Sequence, residues 1–400
     1  MANSMRIALI GDAFPPLRSS GAVQMRDLSL EFVKQGHQPT VMLPSPELDY
    51  AWHIEDWNGG QTLRLKAPKT KDTGYLRRTI GEFLMPFAML RNLRSSPVAE
   101  QRWDGIVWYS PTIFWGPLVK SLKQSSACRG YLIIRDIFPE WAVDIGLMGR
   151  GLPYRFFKII EQFQYSIADV IGVQTPANIA YFKKLSSQSN QRVEVLQNWL
   201  ADAPNVGCSI SVSDSALAGR KIFVYAGNMG VAQGMGILLD LAERLRDRKD
   251  IGFLFVGRGS SAQQLLSESK ARGLDNTAFF DEIDPSEIPG LYAQCHVGLV
   301  VLDPRHKTHN LPGKFLSYMQ NGLPVLASIN HGNDLVEIIT SMRVGRVCTD
   351  AAVETLTHLA EELVCEITVD FEIKARCETL STNMFSPKIA VNQIIHALSK

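Results

Sequence analysis

What this chain lacks narrows it first. Its 41 lysines and arginines are balanced by 40 acidic residues, leaving a formal charge of +1. Bulk capture of nucleic acid needs a strong cationic field, so no nucleic-acid partner is expected. The cysteines, Cys128, Cys208, Cys295, Cys348, Cys365 and Cys377, form no CxxC pair. That scatter excludes a disulfide framework or a zinc knuckle and predicts reduced, buried thiols in a cytoplasmic protein. No apolar run approaches a bilayer-spanning length, the longest, Phe83 to Leu90, being interrupted by Pro86. Met5 to Ile10, then Asp12 and Pro15-Pro16, predict a strand and a turn rather than a secretory leader. Short repeats and low-complexity tracts are missing too, which excludes solenoids and propellers.

What is present is an ordinary globular composition, 46% hydrophobic and 20% charged, over 400 residues. That length exceeds what one core organises, so two domains are expected. Short apolar strands alternate with helical patterns nearly throughout, the signature of parallel sheets covered by helices. Strands are predicted at Arg6–Ile10, Thr40–Leu43, Leu63–Leu65, Gly105–Tyr109, Gly130–Ile134, Val170–Val173 and Val193–Leu196 in the first half. The second half repeats the scheme from Ile222–Tyr225 onward. Between them, Ala201 to Gly219 is rich in Ser, Ala and Gly without a period and reads as a linker.

A strand–turn–helix unit begins twice. The first runs Arg6–Ile10 into a loop ending at Ser19-Ser20-Gly21, and Gly21 at a helix mouth would let backbone amides meet a diphosphate. The second runs Ile222–Tyr225 into Gly227-Asn228-Met229-Gly230-Val231-Ala232-Gln233-Gly234. GxGxxG is absent and no acidic residue stands at the ribose-reading distance, so a nicotinamide dehydrogenase is disfavoured. Gly257 and Arg258, in Val256-Gly257-Arg258-Gly259, form another bend at a strand end. Arg135 and Asp136, in Arg135-Asp136-Ile137-Phe138-Pro139-Glu140-Trp141, follow a strand at the edge where open sheets bind ligands. A salt-bridged loop is the competing reading.

Lys314 opens a helix at Leu311-Pro312-Gly313-Lys314, with Arg305, His306, Lys307 and His309 before it. Cations at a helix start suit a leaving diphosphate. His306 and His309 have no HExxH context, so no metal is expected there. Finally, residues 75–94 carry Arg77, Arg78, Arg91 and Arg94 around Phe83, Leu84, Met85, Phe87, Met89 and Leu90. This pattern fits peripheral contact with an anionic membrane, or equally a core helix with a charged edge.

Taken together, the N-terminal loop, RDIFPEW, GNMGVAQG, VGRGS and GKFLSYMQNGLPVLAS resemble the retaining GT-B glycosyltransferases of family 4. The resemblance covers essentially the whole chain and is closest to the bacterial branch that includes N-acetyl-L-fucosamine transferases of O-antigen and capsule synthesis. It implies an α/β fold of two Rossmann-like parallel-sheet domains facing a central cleft. Residues 1–203 would bind the acceptor, 204–384 the nucleotide sugar, and 385–400 would form a helix crossing back. It places Gly21 near the donor phosphates, Arg135 and Asp136 at the position of a catalytic His or Asp, and Lys314 at a diphosphate-binding lysine. Gly227, Asn228, Gly230, Gln233, Gly257, Arg258, His309 and Ser317 fall in the donor-binding segments. The family's paired glutamates are replaced by His309 and Ser317, and its phosphate-cradling Arg and Lys by Asn228 and Gln233. Arg258, Arg305 and Lys307 are the cations left to compensate.

The resulting expectation is an enzyme that moves a hexosyl or N-acetylaminosugar group from a nucleoside-diphosphate sugar to a polyprenyl-diphosphate-linked acceptor. The nucleotide sugar, such as UDP-L-FucNAc, is the substrate, and no cofactor is expected. The expected location is cytoplasmic, peripheral on the inner face of the membrane if residues 75–94 touch lipid. A non-hydrolysing UDP-sugar 2-epimerase and a catalytically weakened assembly partner of the same fold are the alternatives.

Overall fold

A computed structural model describes residues 4–144, 146–185, 191–230, 233–303 and 311–399. Contacts divide the chain into two units, Met1–Leu200 with Ser386–Lys400, and Ala201–Phe385. The divisions fall at residues 200/201 and 385/386, against the 203/204 and 384/385 read from the sequence.

The first unit runs β1 (Arg6–Ile10), α1 (Ser20–Lys34), β2 (Gln38–Ser45), β3 (Trp52–Trp57), β4 (Gly60–Lys66), α2 (Tyr75–Leu93), β5 (Gly105–Tyr109) and α3 (Gly116–Ser126). It continues through β6 (Arg129–Ile133), α4 (Glu140–Asp144), α5 (Leu152–Ile167), β7 (Val170–Val173), α6 (Pro176–Leu185) and β8 (Arg192–Val195). The second unit runs β9 (Lys221–Ala226), α7 (Gly236–Arg244), β10 (Ile251–Val256), α8 (Ala262–Ala271), β11 (Thr277–Phe280), α9 (Ile288–Tyr292) and β12 (Val297–Val301). Then come α10 (Gly313–Gln320), β13 (Val325–Ser328), α11 (Asp334–Ser341), β14 (Gly345–Cys348), α12 (Val353–Val369) and α13 (Ile373–Met384). The last helix, α14 (Pro387–Leu398), belongs to the first unit, where Gln393 donates to the Val195 carbonyl at 2.8 Å.

The first unit is built on an eight-stranded sheet of order β3-β4-β2-β1-β5-β6-β7-β8, and the second on a six-stranded sheet of order β11-β10-β9-β12-β13-β14. Each central strand is buried on both faces, as crossover helices require. In β1, Ala8 and Ile10 pack with Met85, Met89, Leu118 and Tyr165 of the α2, α3 and α5 layer. Ile7 and Leu9, one residue out of phase, pack with Leu28, Phe32, Val391 and Ile394 of α1 and α14. The two-residue side-chain period thus sends one five-residue strand into two cores. In the second unit Phe223, Phe253 and Leu299 pack with Leu238, Leu241 and Leu363 of α7 and α12.

One element departs from the parallel scheme. β3 pairs antiparallel with β4 across Asn58-Gly59, whose φ values of 46° and 85° are the positive pair that a tight two-residue hairpin demands. β3 lies at the sheet edge with Glu55 and Asp56 exposed, so it carries no apolar run to betray it. Among the described residues no helix is long and apolar enough to cross a membrane.

Candidate functional site

Strand order locates the chemistry of the second unit. Chain order reverses at β9, which is flanked by β10 on one side and β12 on the other. In open α/β sheets ligands bind beyond the carboxyl ends of strands at such a reversal. The segments leaving β9, β10 and β12 are the glycine loop 227–234, the 257–259 bend and the approach to α10.

The first two lie backbone on backbone. Gly227 N–H donates to the Val256 carbonyl at 2.9 Å and Met229 N–H to the Arg258 carbonyl at 2.8 Å. At Gly257, with φ +141°, a Cβ would sit 2.1 Å from the Gly227 oxygen, so only glycine fits. Gln233 closes the turn by accepting from the Gly230 N–H at 2.9 Å and from Asn228 Nδ2 at 3.4 Å. These two residues, standing where cations were expected, therefore shape the loop.

Lys314 reaches the same loop from the first turn of α10, a turn that no side chain caps. Its ammonium donates to the Tyr225 hydroxyl at 2.6 Å and lies 3.9 Å from that ring's centroid. Tyr225 in turn donates to the Asn228 carbonyl at 2.7 Å. Among the described residues no carboxylate pairs with Lys314, and burial pushes its ammonium down to about 7. Such a group is short of negative charge, and a bound anion would supply it. Ser317, one turn on and half-buried, lies against the Tyr292 hydroxyl. Arg258 does not supply free positive charge, because its guanidinium pairs with Glu282 at 2.8 Å. His309, with Arg305, His306 and Lys307, lies outside the described residues.

In the first unit the reversal falls at β1, flanked by β2 and β5. Ser19 caps α1 by accepting from the Ala22 N–H, which puts Gly21 in the first turn beside the Tyr109 ring. Tyr109, whose hydroxyl burial pushes up to about 12, donates to Gln24, and Trp199 Nε1 donates to the Gln24 carbonyl at 2.8 Å. Asp136 is exposed just beyond β6. Arg135 faces the other way. It is buried, donates to the carbonyls of Leu196 at 2.9 Å and Gln197 at 3.4 Å, and stacks on Trp199 at 4.7 Å. Its guanidinium holds the segment after β8 and is not presented as a phosphate ligand. Burial lowers its pKa.

The sequence names the loops, Asp136 and Lys314 as candidates but not Tyr225, which joins Lys314 to the glycine loop. A polar-tipped aromatic as the next-to-last residue of a buried strand was the available signal.

The chain has the GT-B fold, and it is a transferase enzyme. Residues 220–365, which hold the glycine loop and Lys314, match the family described as glycosyl transferases group 1. Over 371 residues the chain is 24% identical to a putative colanic acid biosynthesis glycosyl transferase, WcaI, of Escherichia coli, covering 86% of each. Among solved structures it is similar to a sucrose-phosphate synthase from Thermosynechococcus elongatus, with TM-score 0.73, 14% identity and 98% of each chain covered. It is also similar to Anabaena Alr3699/HepE in complex with UDP and glucose, with TM-score 0.68, 14% identity and 99% of each covered.

Proposed function

We propose that the chain transfers a sugar from a nucleoside-diphosphate donor to a lipid-linked oligosaccharide during O-antigen or capsule synthesis, with retention of configuration. The observation that carries the reading is the Lys314 ammonium, desolvated and held by Tyr225 against the glycine loop at the strand-order reversal. When the bond from the anomeric carbon to the diphosphate oxygen breaks, negative charge develops on the leaving group. In this reading Lys314 and the uncapped amides opening α10 stabilise it. Asp136 orients a hydroxyl of donor or acceptor. The acceptor hydroxyl attacks the same face, and its proton passes to the departing diphosphate oxygen as the new glycosidic bond forms.

A uridine nucleotide of an N-acetylamino sugar, UDP-L-FucNAc being one example, is the proposed donor. The Anabaena neighbour is in complex with UDP and glucose, and the E. coli relative is named for colanic acid biosynthesis. A 2-epimerase of the same fold is the second reading. It would convert the donor alone, without acceptor.

The test is a panel of nucleotide sugars screened by calorimetry or thermal shift, followed by product analysis with a polyprenyl-diphosphate-linked acceptor. Saturable binding of one donor and acceptor-dependent release of nucleoside diphosphate are expected. Binding of no nucleotide sugar sinks the transferase reading, and turnover without acceptor selects the epimerase.

A further inference from the structure

Two helices of the first unit carry an apolar stripe on their outer side. On α2 the inward stripe is Gly81, Met85, Met89 and Leu93, all buried. A second stripe, Leu76, Ile80, Leu84 and Phe87, runs along the outside at helical spacing and is exposed. On α5 Glu161, Gln164 and Tyr165 face inward, while Leu152, Phe156, Ile159 and Phe163 repeat the outer pattern. Leu76 is 74% exposed, Leu152 79% and Ile159 65%. The two stripes meet where the Phe83 and Phe156 rings lie 6.3 Å apart, although they are far apart in sequence. A contiguous apolar face of this kind on a folded unit marks an interaction surface.

The exposed charges carried by α2 and α5 are of one sign. Arg77, Arg91, Arg150 and Arg155 are exposed on or beside these helices, and Lys120 lies 5.8 Å from the Phe163 ring. The acidic residues of α2 and α5 are withdrawn. Glu82 is held by Arg78 at 2.9 Å, and Glu161 is fully buried against Lys158.

We infer that α2 and α5 together form an interfacial docking face for an anionic lipid bilayer. Aliphatic and aromatic side chains enter the acyl boundary while arginines meet anionic headgroups. A two-fold contact with a second copy is disfavoured, because it would set the arginine rim against itself. The docked helix is also tied to the segment that follows Asp136. Tyr154 and Lys158 of α5 donate to the Glu140 carboxylate at 3.0 and 3.1 Å. The inference needs no assumption about the donor, so it and the transferase reading fail separately.

Flotation with phosphatidylcholine vesicles, with and without phosphatidylglycerol, tests it on the full chain. Wild type is expected to float with the anionic vesicles only. Leu76→Ser/Ile159→Ser and Arg77→Glu/Arg155→Glu are each expected to cut partitioning by roughly tenfold or more. All four positions are exposed, and circular dichroism and Tm confirm folding. Absence of wild-type binding to anionic vesicles overturns the inference, as does equal binding to neutral ones or wild-type partitioning by both variants. Sedimentation showing a dimer that Leu76→Ser/Ile159→Ser dissolves assigns the face to a second copy and overturns it as well.

Discussion

The Lys314 ammonium and the Tyr225 hydroxyl share a hydrogen bond of 2.6 Å, and through Tyr225 the lysine is fixed to the carbonyl of Asn228 in the glycine loop. One phenol thereby sets the distance between a helix start and a loop that leave different strands. Lys314→Ala should lower turnover by about tenfold or more, through loss of one charged contact to the leaving group. Tyr225→Phe keeps the ring under the ammonium but removes the tether, and should cost roughly threefold to thirtyfold in kcat/KM. Steady-state kinetics with a lipid-linked acceptor decide both. Full activity in Lys314→Ala removes the lysine from the mechanism; full activity in Tyr225→Phe alone removes only the tether.

The lowered Lys314 pKa, about 7, gives a pH dependence with a definite sign. Below about 7 the free protein carries the cation, and above it the side chain is neutral. Diphosphate binding favours the cation and must draw in a proton as pH rises through 7 to 8. Calorimetry in buffers of different ionisation enthalpy should show proton uptake on nucleoside-diphosphate binding, absent in Lys314→Met. For stability the unfolded lysine, at 10.5, holds its proton longer than the folded one. The cost of the buried charge is therefore full below about 7 and is relieved between 7 and 10.5. Lys314→Met should accordingly raise the Tm of the free protein at pH 6, on the order of a few degrees, while abolishing the proton uptake.

Gly257 and Gly21 should respond to alanine to very different extents. At Gly257 a Cβ would meet the Gly227 oxygen at 2.1 Å with φ at +141°, so Gly257→Ala should destabilise the second unit by about 2–4 kcal/mol. At Gly21 the nearest atom would be Tyr109 Cε1 at 3.6 Å, an ordinary contact. Gly21→Ala should leave stability within about 1 kcal/mol. Chemical denaturation measures both. A loss of donor or acceptor affinity in a stable Gly21→Ala protein would show that this glycine is kept for a ligand's approach.

Lys158 sits among Glu161, Glu140 and the Tyr181 hydroxyl, the last at 2.6 Å. Burial raises the Glu161 carboxyl to about 7 despite the lysine. Since its folded pKa is above the ordinary 4.5, the folded state holds the extra proton between 4.5 and 7, and stability from this group falls as pH rises through that window. Glu161→Gln should flatten the fall. Lys158→Met leaves two carboxylates without their cation and should cost about 3–5 kcal/mol at pH 7.5, less at pH 5. Urea unfolding at the two pH values is the check.

Much of this site could be read in one dimension. Gly227 to Gly234 and Val256 to Gly259 stood out because glycine at a strand end is a local signal, and Lys314 because a Pro-Gly-Lys helix start is another. Arg135 shows the limit of such reading. An arginine just past a strand has the same sequence signature whether it faces solvent or turns beneath its own backbone. Here the carbonyls of Leu196 and Gln197 and the ring of Trp199, some sixty residues on in the chain, decide the matter. The β3–β4 hairpin shows another limit. Its Asn58-Gly59 turn went unread, and β3 lacks the apolar run of a central strand because it is an edge strand with one flank in water.

By itself the sequence determined the alternation of strands and helices, the break near residue 200 and the three loops that carry glycine or lysine. Those follow from hydrophobic period and backbone freedom, which act over a few residues. Tertiary structure alone decided that Tyr225 joins Lys314 to the glycine loop, that Arg135 points inward, and that the outer stripes of α2 and α5 merge into one cationic, apolar face. These are juxtapositions across strand crossovers. The sheet order that creates them is set by packing of the whole unit, so no window of the chain contains it.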